Sequence, residues 1–247
     1  MTEDQPYLSF IIPAYNEETR LGKTLEAVFE YLKNQPFRWE ILVVIDGAKD
    51  NTIGVVNKYQ EKLPYLRVID RKENKGKGYS VREGMLAAKG KVRLFADADN
   101  STSADHFDKM KPLFDKGYEV VICSRDPKDA PGARQEVPQK GIKRLAGNLG
   151  NLFIQIFAVP GIWDTQCGFK AFSQKAAAGI FQRSVIDRWG FDVEALALAR
   201  KLKYEVGIVP AYWVNDPHSH VKLSGYIKVL FETLQVRWNL ITGKYEL

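Results

Sequence analysis

Two carboxylates one residue apart, Asp97 and Asp99, follow the apolar run 92–96. Like charges this close repel, and a hard divalent cation relieves the repulsion. Mg2+ takes one or two protein carboxylates and fills its octahedron with water and substrate phosphates. The pair therefore suits a cation, Mg2+ or Mn2+, that also holds a nucleoside diphosphate. A strand-ending turn whose Asp residues cap the next helix is the plain alternative for the same spacing. Asp46 ends a β-branched run, where a carboxylate could hydrogen-bond a base or ribose; as Asp46-Gly47 it also suits a turn. Asn16-Glu17 fits either a ligand contact or the first turn of a helix. Asn74-Lys75-Gly76-Lys77-Gly78 stands just before a helical stretch. Its glycines permit close backbone approach, a helix N-terminus favours anions, and two lysines add charge, which suits a diphosphate. The spacing is that of neither a P-loop nor a dinucleotide fingerprint.

A second set of residues follows the fifth apolar run. Ser124-Arg125, Arg134, Lys140, Lys143 and Arg144 could gather around a phosphate, since Arg binds phosphate in a bidentate way. A solvated basic face is the alternative. Asp164 and Asp192 are carboxylates set among apolar residues, where a carboxylate needs a partner or a function. His218 and His220 lack a third ligand and read as loop residues.

These groups need elements to position them. Short apolar runs at 8–13, 41–45, 66–69, 92–96 and 119–123 read as strands. They alternate with helical spacing at 21–32, 51–63, 78–88 and 104–114. This order predicts an α/β fold with a doubly wound, mostly parallel sheet, and such sheets bind ligands beyond the carboxyl ends of their strands. Residues 13–17, 46, 97–99 and 124–125 all fall at such ends. Further on, 126–140 reads as a mobile loop, 141–159 as a helix with an apolar end, and 180–203 as helical segments. A strand at 204–213 and an amphipathic helix at 224–241 complete the chain. The organisation expected is one domain over 1–247: a ligand-binding half at 7–125, an acceptor half at 126–215 and a C-terminal helical extension at 216–247.

The 247 residues are 45% hydrophobic and 27% charged, which excludes a disordered chain, a collagen or a coiled coil. A net charge of +6 suits a polyanionic partner without naming it. Nucleic acid ranks last, because no recognition motif is present and the proposed rim is acidic. Cys123 and Cys167 have no ligand spacing, so neither a disulfide framework nor a cysteine zinc site is expected. With no signal peptide or membrane span read in the sequence, the expected location is cytoplasmic.

Together these segments resemble a known family. Pro13-Ala14-Tyr15-Asn16-Glu17, then 44–52 with Asp46-Gly47, then Asp97-Ala98-Asp99 resemble the signature of family 2 inverting glycosyltransferases. Residues 74–78 with 81–85, and 164–170 with 189–194, resemble the polyprenyl- and dolichyl-phosphate sugar synthases, closest to the dolichyl-phosphate glucosyltransferase branch. The resemblance implies a GT-A fold, a nucleotide-sugar donor and a divalent metal on Asp97 and Asp99. It implies that Pro13, Tyr15, Glu17 and Asp46 line the nucleotide, with Lys75, Gly76 and Lys77 on the donor side. Ser124, Arg125, Arg134 and Arg144 would approach the acceptor phosphate. The branch points to UDP-glucose first and GDP-mannose second, with a polyprenyl phosphate lipid as acceptor. The pattern departs from the family at Ile45 and Ala48, where Asp and Ser are usual. Many relatives carry membrane-spanning helices. Here contact with the cytoplasmic membrane face would be peripheral, through 149–163 and 226–241 with Trp238. Core packing or a dimer interface is the other use of those stretches.

A lipid monophosphate has a second pKa near ~6, so it attacks as an anion without a general base. Asp97, Asp99 and Arg125 would then carry the chemistry by holding attacker and leaving group. A hydroxyl acceptor would instead need a base, Asp164 or Asp192. A non-catalytic nucleotide-sugar-binding protein is the reading from a different class.

Overall fold

A computed structural model describes residues 5–63, 65–136, 142–214 and 223–246. The order begins β1 (Leu8–Ala14), α1 (Leu21–Leu32), β2 (Trp39–Asp46), α2 (Thr52–Gln60), β3 (Leu66–Arg71), α3 (Lys77–Ala87) and β4 (Val92–Ala96). A 3-10 turn at Ala104–His106 leads into α4 (Phe107–Asp115) and β5 (Val120–Ser124). There follow β6 (Arg134–Gln135), α5 (Ile142–Phe157), β7 (Phe169–Ser173), α6 (Gln174–Phe181), α7 (Phe191–Lys201), β8 (Val206–Pro210), β9 (Tyr212–Trp213) and α8 (Leu223–Ile241).

Seven strands form one sheet in the order β3-β2-β1-β4-β7-β5-β8. Neighbours are parallel except at β7, which runs antiparallel to both β4 and β5. Two antiparallel steps restore direction, so β5 points the same way as β1, β2 and β4. The carboxyl ends of those four strands therefore share one rim, and the amino end of β7 joins them there.

The apolar runs behave as strands covered on both faces should. Phe10, Ile12, Ile41, Val43 and Ile45 face a layer with α1, α2 and α4, while Ile11, Leu42 and Val44 face the opposite layer with α3, α6 and α7. Helix α1 buries Leu21, Leu25, Val28 and Leu32, the helical spacing read from the sequence.

Three features differ from the sequence expectation. The antiparallel β7 is not foreseen: no element is read over 164–173 in the sequence, and Lys170 near the start of the strand interrupts its apolar run. That lysine is fully buried, with its Nζ 2.6 Å from both Asp192 Oδ1 and the Cys167 carbonyl. The strand expected at 204–213 divides after Pro210, and β9 leaves the main sheet to pair with β6. The stretch read as a mobile loop is pinned in its first part. The Asp129 carboxylate accepts hydrogen bonds from Ser124 Oγ and from the backbone of Trp163 and Asp164, each at 2.8 Å. Residues 137–140 and both His218 and His220 lie outside the described residues.

Helix α3 lies close on the sheet at Gly84. A Cβ there would stand 2.5 Å from Ile11 Cγ2 and 3.1 Å from Val44 Cγ2. Gly84→Val should lower stability by about 3 kcal/mol through overpacking, read as a reduced urea midpoint with an unchanged slope.

Candidate active site

The shared rim opens into a cleft of about 720 Å³. Pro13 to Glu17 follow β1, Asp46 ends β2, Asp97 to Asp99 follow β4, and Arg125 follows β5; all but Gly47 and Ser124 of the rim residues so far named contribute to the lining. The far wall comes from Gln166, Gly168, Arg188, Trp189 and Asp192, and from Trp213 of β9 with Gly225 and Val229 of α8.

The first wall is held by side chains that tie two loops together. Asn16, at φ 57°, accepts from Lys49 N at 2.7 Å through its side-chain oxygen. Glu17 N donates to Thr52 Oγ1 at 2.8 Å, and Asn51 N donates to Glu18 at 2.8 Å. The Glu17 carboxylate takes both Nε and Nη2 of Arg20, at 2.8 and 2.7 Å. Tyr15 remains 40% exposed at the mouth.

Asp46 is almost fully buried, and three donors converge on it. The backbone N–H groups of Lys75 and Gly76 each donate at 2.8 Å, and Arg71 Nη2 lies 2.5 Å away. Gly76 has φ 112°, and a Cβ there would collide with the Asp187 carbonyl, so this turn requires glycine. Beyond it, Gly78 N and Tyr79 N donate to the carbonyls of Arg188 and Asp187 at 3.2 and 3.1 Å. These bonds revise the expected anion cradle. The N–H groups of Lys75, Gly76, Gly78 and Tyr79 are spent on protein acceptors, and the charge that α3 offers the cleft is the side chain of Lys77, with Ser80 beside it in the lining. Lys75 turns away, its Nζ 4.6 Å from the Tyr79 ring centroid.

Lys77 Nζ lies 2.6 Å from Asp97 Oδ1. Burial pushes this ammonium toward losing its proton, but the charges of Asp97, Asp192 and Asp99 outweigh burial and raise its pKa. Gly168 backs the Asp97 carboxylate so closely that a Cβ would overlap it, and the Gly168 carbonyl accepts from Asp97 N at 3.1 Å. Asp99 Oδ1 accepts from Ser101 N at 2.9 Å. Asp192 is pushed up by burial, against the opposing pull of Lys170 and Lys77.

The expected phosphate group of basic residues is only partly assembled. Arg125 faces the cleft, but its Nε and Nη2 form a bidentate pair with Asp164 at 2.8 Å each. Burial works to raise the Asp164 pKa; Arg125 overrides it and holds the carboxyl below its usual range. Such a carboxylate is a poor base, which leaves Asp192 as the candidate of the two. Ser124 does not reach the cleft: it is fully buried and bonded to Asp129. Arg134 lies over the Tyr212 ring at 4.4 Å and is not part of the cleft lining. Arg144 falls within α5, and its side chain lies outside the described residues. Arg188 supplies a cleft cation that sequence reasoning passed over, its Nη1 3.0 Å from Asn74 Oδ1. The signal for it was its place two residues before Gly190. Ile45 is 1% exposed and packs in the core, and Ala48 packs against the same cluster. Their departure from the family pattern thus falls on positions outside the cleft lining.

Residues 9–181 match the family described as Glycosyl transferase family 2. A dolichyl-phosphate beta-glucosyltransferase of Trichomonas vaginalis is 38% identical over 242 residues, spanning 94% of this chain and 73% of that protein. The Homo sapiens protein of that name is 33% identical, over 97% of this chain and 78% of its own length. Among solved structures, glucosyl-3-phosphoglycerate synthase from Mycobacterium tuberculosis in complex with UDP aligns with a TM-score of 0.69 at 15% identity, over 94% of this chain and 80% of that one. That enzyme has also been solved with Mn2+, UDP and glucosyl-3-phosphoglycerate. The likeness at this identity is one of fold, and the GT-A-like architecture expected from the sequence is the one observed.

The Arg125–Asp164 pair has a pH signature. With its folded pKa depressed, Asp164 binds a proton less readily in the folded than in the unfolded chain. Its contribution is therefore present above the unfolded value of ~4 and lost as pH falls through the folded one. Arg125→Met should cost about 3 kcal/mol at pH 7, and its urea midpoint should approach that of the unsubstituted protein as pH falls below ~4.

Proposed function

The chain belongs to glycosyl transferase family 2, and on that premise we propose that it transfers glucose from UDP-glucose to a polyprenyl phosphate of the dolichyl type, with inversion. The observation that carries this reading is the cleft itself. Two carboxylates stand at a strand end, flanked by Lys77, Arg125 and Arg188, and one wall is a helix with an apolar outer face. The names of the relatives choose the sugar and the lipid; GDP-mannose is the second donor.

The donor set fits a divalent cation. Asp97 and Asp99 both line the cleft, and among the described residues no third His, Cys, Asp or Glu completes a protein cage. That leaves most of a coordination shell to water and phosphate oxygens, as Mg2+ requires and Mn2+ accepts. When bound, the cation would neutralise charge on the leaving diphosphate. Pro13, Tyr15, Glu17 and Asp46 belong to the nucleotide side, where the 16–18 and 49–52 loops are clasped together. Arg125 spends Nε and Nη2 on Asp164, so the Nη1 group is its part open to an acceptor phosphate. Arg188 joins it in the place assigned from sequence to Arg134 and Arg144. The acceptor arrives as an anion, so alignment and charge neutralisation suffice, with no proton to remove. A hydroxyl acceptor is the second reading, favoured by the raised pKa of Asp192 beside the cleft.

Contact with a lipid surface belongs to the same proposal. Among the described residues no helix is long and apolar enough to cross a membrane. Helices α5 and α8 pack together and expose Leu149, Leu152 and Ile156 on one, and Ile227, Phe231, Leu234, Trp238 and Ile241 on the other. A cluster of exposed apolar side chains on this scale marks an interaction surface, and beside a lipid-phosphate site the fitting partner is the bilayer interface.

Two experiments test the reading. With Mn2+ and a polyprenyl phosphate, label from UDP-glucose should enter the organic phase, and label from GDP-mannose should not. Asp99→Ala should reduce transfer by ~100-fold or more with circular dichroism unchanged. Donor binding without any lipid product would move the assignment to a hydroxyl acceptor. Separately, Phe231→Asp with Trp238→Asp should abolish co-sedimentation with anionic vesicles while leaving UDP affinity intact. Unchanged sedimentation of the variant would assign the patch to an interface between copies of the chain.

A further inference from the structure

Lys77 lines the cleft against Asp97, one of the two carboxylates assigned to the cation. Its ammonium lies on Asp97, 2.6 Å from Oδ1, and the charges of Asp192 and Asp99 also act on it. The rings of Trp189 and Phe191 lie 5.8 and 5.9 Å from Nζ. Of the other cleft carboxylates, Glu17 pairs with Arg20, Asp46 with Arg71 and Asp192 with Lys170, while Asp99 accepts from Ser101 N. The backbone before Lys77 is fixed, because Asp46 holds the N–H groups of Lys75 and Gly76. The flexible part is the four-carbon stem, which carries a compact point charge able to change partners.

An ammonium and a divalent cation cannot share one carboxylate oxygen without strong repulsion. A diphosphate brings the negative charge that would draw the ammonium away. We propose that Lys77 is a latch: with no donor bound it occupies Asp97 and keeps a divalent cation out, and an entering nucleoside diphosphate draws it onto phosphate and opens Asp97 to the cation. The inference rests on the nucleotide-sugar reading and on the cation assigned to Asp97 and Asp99. Cation and nucleotide then bind cooperatively, each raising the affinity of the other by the same factor.

Mn2+ binding, followed by the electron paramagnetic resonance signal of the free ion, tests this without any transfer reaction. The unsubstituted protein should bind Mn2+ weakly alone and ~10-fold or more tighter with UDP. Lys77→Met should bind nucleotide-free Mn2+ about 10-fold tighter than the unsubstituted protein, and the gain from UDP should shrink by a similar factor. Lys77→Arg, which keeps a cation within reach of Asp97, should restore the coupling. Arg188→Met also removes a cleft cation, but one bonded to Asn74, and should leave nucleotide-free Mn2+ affinity unchanged. Circular dichroism checks that each variant is folded. Nucleotide-free affinity unchanged in Lys77→Met, or a UDP gain as large as before, overturns the latch. So does an equal rise in Arg188→Met, which would reduce the effect to general charge. Absence of Mn2+ binding even with UDP removes the cation from Asp97 and Asp99, and the latch with it. UDP affinity by calorimetry without Mn2+ then shows whether the nucleotide reading survives.

Discussion

Asp46 ends β2 with its carboxylate almost shut off from water. A charge in that position has to be met by hydrogen bonds and a counter-charge, since an unpaired one costs several kcal/mol. Arg71 supplies the counter-charge, and the backbone of Lys75 and Gly76 supplies the remaining donors. Satisfying the carboxylate therefore bends the 74–76 turn against the end of the sheet. That turn sets where α3 begins. Once α3 is placed, Gly78 and Tyr79 reach the carbonyls of 187 and 188, which in turn sets the loop before α7. Lys77, Arg188, Trp189 and Asp192 are positioned through this one chain of bonds. A residue suited by type to touch a nucleotide also organises the wall opposite it.

Opposite charges are paired in and around the cleft, three of the pairs joining residues distant in sequence and one, Glu17 with Arg20, local to a single loop. Glu17 faces Arg20, Asp164 faces Arg125, Asp192 faces Lys170, and Asp97 faces Lys77. Pairing lets four carboxylates stand close together without a ligand present. The pairs differ in rigidity. Arg125 and Asp164 form a planar, bidentate unit backed by a further bond from Arg125 N, and Lys170 is fully buried behind Asp192 in the cleft wall. Lys77 and Asp97 are joined by a single contact at the open cleft. An entering anion or cation meets least resistance there, and that contact joins the only one of the four pairs that includes a residue of the Asp97-Ala98-Asp99 motif.

Much of this was legible in the sequence, for a definite reason. The first five strands are short, largely apolar runs, and a parallel sheet gathers their carboxyl ends on one rim, so Asp46, Asp97 and Arg125 could be brought together without coordinates. What escaped depends on partners distant in sequence. The burial of Lys170 depends on Asp192, contributed by another element, and its type and neighbours in sequence do not announce it. Ser124 follows a strand as Arg125 does, but side chains alternate across a strand, and Asp129 claims the serine hydroxyl from below. The glycine-rich turn at 74–78 has the composition of an anion site, and composition does not reveal that the N–H groups of Lys75 and Gly76 are taken by Asp46 and that of Gly78 by the Arg188 carbonyl. Ile45 shows the converse. It breaks the family pattern at a conspicuous place, and the same alternation sends it into the core.

Helix α8 carries two apolar stripes, which periodicity alone reads as a single amphipathic face. Gly225, Val229, Thr233 and Val236 face inward, and the first two line the cleft; Ile227, Phe231, Leu234, Trp238 and Ile241 face outward. An α-helix with its side chains is ~10–12 Å across, so the outer face and the cleft lining are separated by about that distance. If the outer face rests at the interface of a bilayer, the cleft opens roughly one helix width above the apolar boundary. That is the level at which an acceptor phosphate stands when its hydrocarbon tail stays in the membrane. The inner and outer stripes of α8 would then set the height of the lipid phosphate relative to Arg125 and Arg188.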